Sequence, residues 1–251
     1  MDIPMALTCP ICRNGMTPIL QRSDNHSCGI RFGVPSPDLP RGEVTYGECG
    51  TCGHVATDYF NDWSDQTFRE RIYNDSYHLY DPGYVLRRPT ALARAVQAHY
   101  RPGIRVLDYG SGSGIVPQKL RQAGFDAHGY DPMTDALEPA AGSFDLVLCT
   151  EVLEHVPDPW QPAGIISRLA RDGADVVLST LLLPEAREHD FWWLGPRNGH
   201  IHAFSPRSLE LLFPGMTSYS PGVHSLGAPP RGFLKDVQSA ILCERETAEA
   251  V

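Results

Sequence analysis

The 251-residue sequence has no run of 18 apolar residues, so nothing in it reads as a membrane-spanning helix. It also lacks a basic excess: 21 Lys and Arg stand against 30 Asp and Glu, a formal net charge of −9. Proteins that track phosphate backbones are basic, so a dominant nucleic-acid binder is disfavoured. The opening residues Met1-Asp2-Ile3-Pro4 lack the basic segment and apolar stretch of a secretory signal, and the expectation is a cytoplasmic chain. Internal repeats and low-complexity tracts are missing as well. Hydrophobic residues make up 42%, a globular rather than a disordered composition. A chain of this length buries roughly 70–75% of its unfolded surface, enough for one large domain or a medium domain plus a small module.

Among seven cysteines, four form two knuckles, Cys9-Pro10-Ile11-Cys12 and Cys49-Gly50-Thr51-Cys52. Each CxxC turn points two thiolates at one metal, and four soft ligands in a closed shell select structural zinc. His26 and Cys28 lie in the gap and could replace a ligand, though the paired knuckles need none. Such a module has too small a core to fold alone, so the metal supplies folding energy. Cys149 and Cys243 fall in expected strands and read as buried fillers. The expected division is a zinc-ribbon module over 1–58, an aromatic linker or lid over 59–84 carrying Tyr77, Tyr80 and Tyr84, and a larger domain over 85–251.

From residue 85 the text alternates between two periodicities. Helices are expected over 85–100, 116–123, 162–170 and from Ser205-Pro206 to Leu212. Strands are expected over 104–109, 127–130, 144–149, 174–183 and 236–243. Alternation of this kind gives an α/β fold, a parallel Rossmann-like sheet with helices on both faces.

Gly110, Gly112 and Gly114 sit at the first strand-to-helix junction, where open α/β sheets bind ligands. Asp131 closes the next strand, at the distance where a carboxylate takes a ribose diol. A dinucleotide fingerprint would need a further glycine where Ile115 or Pro117 stands, and Asp108 just before the loop would repel a pyrophosphate. Asp108 suits an ammonium instead, which favours S-adenosylmethionine over a nicotinamide or flavin dinucleotide.

The segments VLDYGSGSG (106–114), GYDP (129–132) and FDLVLCTEVLEHVPDP (144–159) together resemble class I S-adenosylmethionine-dependent methyltransferases, over about residues 85–243. The resemblance implies that Gly110, Ser111 and Gly112 lie along the methionine part of the cofactor. Asp108 would orient its amino group, Asp131 would hold its ribose, Glu151 would border the site, and Asp135 is the candidate for adenine. Glu151, Glu154 and His155 resemble the ExxEH cluster of the ubiquinone-pathway and small-RNA 2′-O-methyltransferases, which holds a divalent cation with a later histidine. Here that histidine is His200 or His202. If a helical turn begins at Glu151, it and His155 stand at i and i+4, two carboxylates and an imidazole on one face. Without metal the cluster would cap a helix and line the acceptor pocket, with His155, His200 or His202 as general base. His200 and His202, on alternate residues, would face the same side of a strand. Trp192 and Trp193 would cover the acceptor or fill the core.

The ribbon-plus-domain layout resembles bacterial methyltransferases thought to act on sugars or cell-surface glycans. The reading is therefore an S-adenosylmethionine-dependent O-methyltransferase acting on a hydroxylated small molecule or a sugar or glycan, with structural zinc and a second cation at Glu151, Glu154 and His155. A nucleotide-sugar C-methyltransferase, an RNA methyltransferase, a non-catalytic binding module and a dehydrogenase are the rivals.

Overall fold

The computed structural model describes residues 7–34, 36, 40–81, 83–84, 86–135, 137–184 and 191–242. Elements are numbered along the whole chain. The fold gathers into two units, each built from separate stretches: one from Met1–Asp81, Leu153–Trp160 and Leu181–Pro214, the other from Pro82–Val152, Gln161–Thr180 and Gly215–Val251.

The first unit holds β1 (Met16–Ser23), β2 (Glu43–Cys49), β3 (Val55–Ala56), α1 (Asp65–Arg71), β8 (His202–Ala203) and α5 (Pro206–Leu212). Its sheet runs β1-β2-β3-β8, antiparallel throughout. The cysteine module alone cannot bury Val44, Tyr46 and Val55; Leu183, Phe191, Leu194 and Ala203 complete that core from far along the chain. The units therefore do not follow the linear division expected at residues 58 and 85. The Ser64 side chain caps α1 by accepting from the Thr67 N–H. α5 opens as its Ser205-Pro206 start predicts, with a capping box to Ser208. Tyr77 and Tyr80 are buried in this unit, the Arg197 guanidinium 3.9 Å over the Tyr80 ring. They are core rather than lid; Tyr84 alone of the three belongs to the other unit.

The second unit holds α2 (Arg87–His99), β4 (Arg105–Tyr109), α3 (Ile115–Gln122), β5 (Asp126–Tyr130), β6 (Phe144–Thr150), all but the first residue of α4 (Trp160–Leu169), β7 (Ala170–Ser179), β9 (Thr217–Ser220), β10 (Val223–Leu226) and α6 (Phe233–Leu242). Its sheet runs β5-β4-β6-β7-β10-β9; the first four strands are parallel, and β10 and β9 join antiparallel. Val106, Leu146, Leu148 and Val177 pack with α2, α3 and α6. The alternate residues Leu107, Val147 and Leu178 are buried too, as a sheet covered on both faces requires.

The strand expected over 236–243 is instead α6. Phe233, Val237, Ala240 and Ile241 recur at helical spacing and are buried against the sheet, so the apolar run belongs to a helix face. Cys243 lies outside the described residues. The β9–β10 hairpin, short and polar, was not expected. Among the described residues no helix is long and apolar enough to cross a membrane.

Candidate active site

The loop after β4 is built on backbone that L side chains avoid: Gly110, Gly112 and Gly114 have φ of +71°, +48° and +68°. The Gly110 N–H donates to the Tyr130 carbonyl (2.8 Å) and the Gly112 N–H to Asp131 Oδ2 (3.1 Å). The second strand's terminal carboxylate is thus held against the first strand's loop. Asp131 Oδ1 takes the Met133 N–H, and Asp135 Oδ2 takes the Asp131 N–H. Asp135 shapes the Asp131 turn, which is an alternative to the adenine role. Asp108 is buried; desolvation first, and the Asp131 charge second, push its carboxyl up to about 7. A buried carboxyl beneath a glycine cradle suits a cationic ligand better than a pyrophosphate, so the residues fit the ammonium and sulfonium of S-adenosylmethionine.

At the end of β6, Glu151 adopts φ +54°, a left-handed conformation rare for a non-glycine residue and often functional. Its Oε1 accepts from Ser179 Oγ (2.8 Å), its N–H donates to the Ser179 carbonyl (3.0 Å), and Arg88 lies 3.7 Å from Oε2. The kink breaks the helix assumed from Glu151 to His155. Only Leu153–His155 forms a 3-10 turn, so Glu151 and His155 are not at i and i+4 of one helix. Glu151 thus groups with the glycine loop, whereas the acid and imidazoles after the kink belong to the other unit. The second cation site as expected, with Glu151 as a ligand, is corrected accordingly.

There, Glu154, His155 and His200 bring one ligand atom each to within 4.8 Å of one another. The His155 Nδ1–H donates to the Gly199 carbonyl (3.2 Å) and the His200 Nδ1–H to the Trp193 carbonyl. The rings stand 4.7 Å apart. A carbonyl only accepts, so both rings donate from Nδ1, which in a neutral imidazole leaves the Nε2 lone pair for a metal, the arrangement by which outer partners fix metal-binding imidazoles. The Ile201 N–H holds the turn by donating to the Glu154 carbonyl (2.7 Å). The donor set, one carboxylate and two imidazoles, fits a divalent cation of intermediate hardness.

His202 is not on the same side. Its Nε2 meets the Val156 carbonyl (2.8 Å) and its Nδ1 meets His54 Nε2 (3.1 Å). Burial pushes its basicity down to about 4. With both nitrogens engaged it is a buried structural group, not a general base. β8 begins only at His202, so the expected two-residue alternation never forms. Trp193 is half-buried against the first unit's core, the filler role.

The four knuckle sulfurs also gather within 4.8 Å, with Cys9–Cys52 at 3.6 Å and Cys12–Cys49 at 3.4 Å. A tetrahedron with Zn–S of about 2.3 Å has S–S edges near ~3.8 Å, so the cysteines fit zinc. Cys28 lies elsewhere, 3.4 Å from His200 Nδ1, and is not one of the four. Arg88 escaped the sequence reading, whereas Tyr84, named there as part of the lid, stands beside the glycine loop. A Cβ on Gly112 would meet the Tyr84 hydroxyl at 2.7 Å. The signal for Arg88 was there: two arginines open α2, where the helix dipole disfavours cations.

Residues 78–215 match the family described as Methyltransferase domain. The chain is 32% identical over 142 residues to the ubiquinone biosynthesis O-methyltransferase of Methylococcus capsulatus, 45% of this chain and 60% of that protein. To the enzyme of the same name from Hahella chejuensis it is 35% identical over 105 residues, 32% of this chain and 44% of that protein. The chain thus spans less than two thirds of these curated relatives. Among solved structures, the 1,6-didemethyltoxoflavin-N1-methyltransferase of Burkholderia thailandensis is similar at a TM-score of 0.47 and 15% identity, covering 77% of this chain and 97% of that one.

Proposed function

We propose, from the premise that this chain belongs to the methyltransferase-domain family, that it transfers a methyl group from S-adenosylmethionine to a hydroxyl of a small molecule. One observation carries the reading: the buried Asp108 carboxyl lies below a left-handed glycine loop whose Gly112 N–H already engages the Asp131 carboxylate. When bound, S-adenosylmethionine supplies an activated methyl on a sulfonium. Asp108 would orient its amino group, directly or through water, and Asp131 would hold its ribose hydroxyls. Glu151, fixed by Ser179 and flanked by Arg88, borders the same loop.

Glu154, His155 and His200 would hold a divalent cation, whose chemistry there would be to acidify a bound hydroxyl. The Nε2 lone pairs set by the Gly199 and Trp193 carbonyls make that possible. The four cysteines would hold zinc as a structural ion. Methyl transfer needs in-line alignment above all, so positioning supplies much of the rate. The curated relatives are named for O-methylation in ubiquinone biosynthesis, which favours a hydroxylated ring of quinol type. Those names favour such a ring over the sugar or glycan acceptor of the sequence reading.

Calorimetry on the full chain tests the cofactor: S-adenosylmethionine binds, NAD does not, and Asp131→Asn weakens binding at least tenfold. Absence of S-adenosylmethionine binding would leave a scaffold without the reaction; NAD binding in its place would make the chain a dehydrogenase. Release of S-adenosylhomocysteine with small catechols then tests the acceptor class.

A further inference from the structure

The first unit holds a cleft of about 100 Å³ that shares no residue with the cysteine tetrad or with Glu154, His155 and His200. It has no place in the methyl-transfer reading and does not depend on it. Arg41, Arg71 and Arg197 are among its lining residues, together with the acidic Asp24 and Glu70. Those carboxylates are already engaged. Asp24 Oδ1 accepts from the Arg41 backbone N–H (2.9 Å) and Oδ2 from the Tyr59 hydroxyl (3.2 Å). Glu70 Oε1 accepts from Gln66 Nε2 (2.8 Å).

Those donors are neutral and leave both carboxylates charged, so three arginines against two acids give the lining a small positive excess. Among the described residues neither the Arg41 nor the Arg71 guanidinium lies within ion-pair distance of a carboxylate. Both act electrostatically on the Tyr59 hydroxyl, where the Asp24 carboxylate bonded to it acts more strongly. Arg71 rests over the face of Trp63, 5.2 Å from its centroid, which restrains the guanidinium without using its donors. Arg197 is buried, and its fork is fixed by donation to the Ile72 carbonyl (3.2 Å) and Ser76 Oγ (3.3 Å) and by the Tyr80 ring beneath it.

We infer that this cleft is a binding site for a small oxyanion, a carboxylate or phosphate group carried by a small molecule. A cleft of about 100 Å³ has room for one such group. Planar guanidinium forks recognise oxyanions through paired hydrogen bonds, and the Arg71 fork, held on the Trp63 face with its donors unused, is pre-set for that task. A net charge of −9 makes an extended polyanion the poorer partner, because every further phosphate meets an acidic surface.

The test uses the full, metal-replete chain and two probes, inorganic phosphate and benzoate. Calorimetry is expected to show one saturable site for at least one of them, and the stronger probe identifies the phosphate or the carboxylate source. Binding should weaken at least tenfold in Arg71→Gln and in Arg41→Gln; Arg71→Lys should recover only part of it, because charge remains but the fork is lost. Tryptophan fluorescence should change on titration in the native chain and not in Trp63→Phe, while that variant still binds by calorimetry. Thermal unfolding of each variant, matched to the native chain, separates lost binding from lost folding. No saturable uptake of either probe, or uptake unchanged in both Gln variants, overturns the inference. Tighter, strongly salt-dependent binding of an RNA oligonucleotide that displaces both probes would overturn it too, in favour of a nucleic-acid surface.

Discussion

A methyl group at Gly110 would lie 2.5 Å from Val152 Cγ2 and 3.1 Å from Cγ1, whereas one at Gly112 would meet only the end of the Tyr84 ring. Both positions are left-handed, so alanine costs about 1–2 kcal/mol at either. The branched Val152 side chain, anchored at the strand end, cannot retreat as a half-exposed tyrosine can. Gly110→Ala should therefore lose about 1–3 kcal/mol more than Gly112→Ala in thermal or urea unfolding. Tyr84→Phe should recover part of the loss in Gly112→Ala and none in Gly110→Ala. Asp108 gives a second prediction at this scale. Its folded pKa, about 7, stands above the unfolded value near 4, so its protonated form stabilises the unliganded fold at low pH. That contribution is full below about 4 and is lost as pH rises through 7. A cationic ligand reverses the preference by favouring the carboxylate. S-adenosylmethionine should bind up to about tenfold more tightly per pH unit between 5.5 and 7, level off above, and release a proton below 7. Calorimetry in two buffers of different ionisation enthalpy measures this, and Asp108→Asn should flatten the profile; a flat profile in the native chain would separate Asp108 from the cofactor.

At the scale of elements, α6 carries the sharpest difference between text and fold. Phe233 is fully buried among Tyr100, His99 and the sheet core, and Phe233→Ala should cost about 3–5 kcal/mol by denaturant unfolding. Were this segment an edge strand, a proline at Val237 could be tolerated; in the middle of a ten-residue helix it should prevent folding. Signals confined to a few neighbouring residues were legible in the sequence. The CxxC spacing fixes two knuckles within four residues each, Ser205-Pro206 fixes a helix start, and the buried run at β6 needs no partner to be recognised. Patterns that depend on distant packing were not. The apolar run before Cys243 fits either period until the sheet face that receives Phe233 and Val237 is known. The Glu151 turn reads as helix until its φ of +54° shows that no helix runs from Glu151 to His155. Arg88 and Ser179 meet Glu151 only through tertiary structure.

Across the whole molecule, chemistry is divided between the two units in a way that a single cysteine can test. Asp108, Gly110, Gly112, Asp131 and Glu151 belong to one unit; the cysteine tetrad and Glu154, His155 and His200 belong to the other. Within that second set the knuckles are wired to the cluster. The Ser205 hydroxyl donates to the Cys52 carbonyl, β3 pairs with β8, and the Thr57 N–H donates to Ile201, whose own N–H holds the Glu154 carbonyl. On the other knuckle, Trp160 Nε1 donates to the Pro10 carbonyl at 3.2 Å. A closed four-thiolate shell contributes folding energy outright, so one lost ligand loosens this sheet first. Cys12→Ser should therefore lower bound zinc by elemental analysis and raise amide exchange in β3 and β8. It should cut S-adenosylhomocysteine release by an order of magnitude or more, yet leave S-adenosylmethionine affinity within about twofold. Equal loss of cofactor affinity and turnover would mean that the cysteine tetrad supports both sets of residues, and the division of labour drawn from the two units would have to be abandoned.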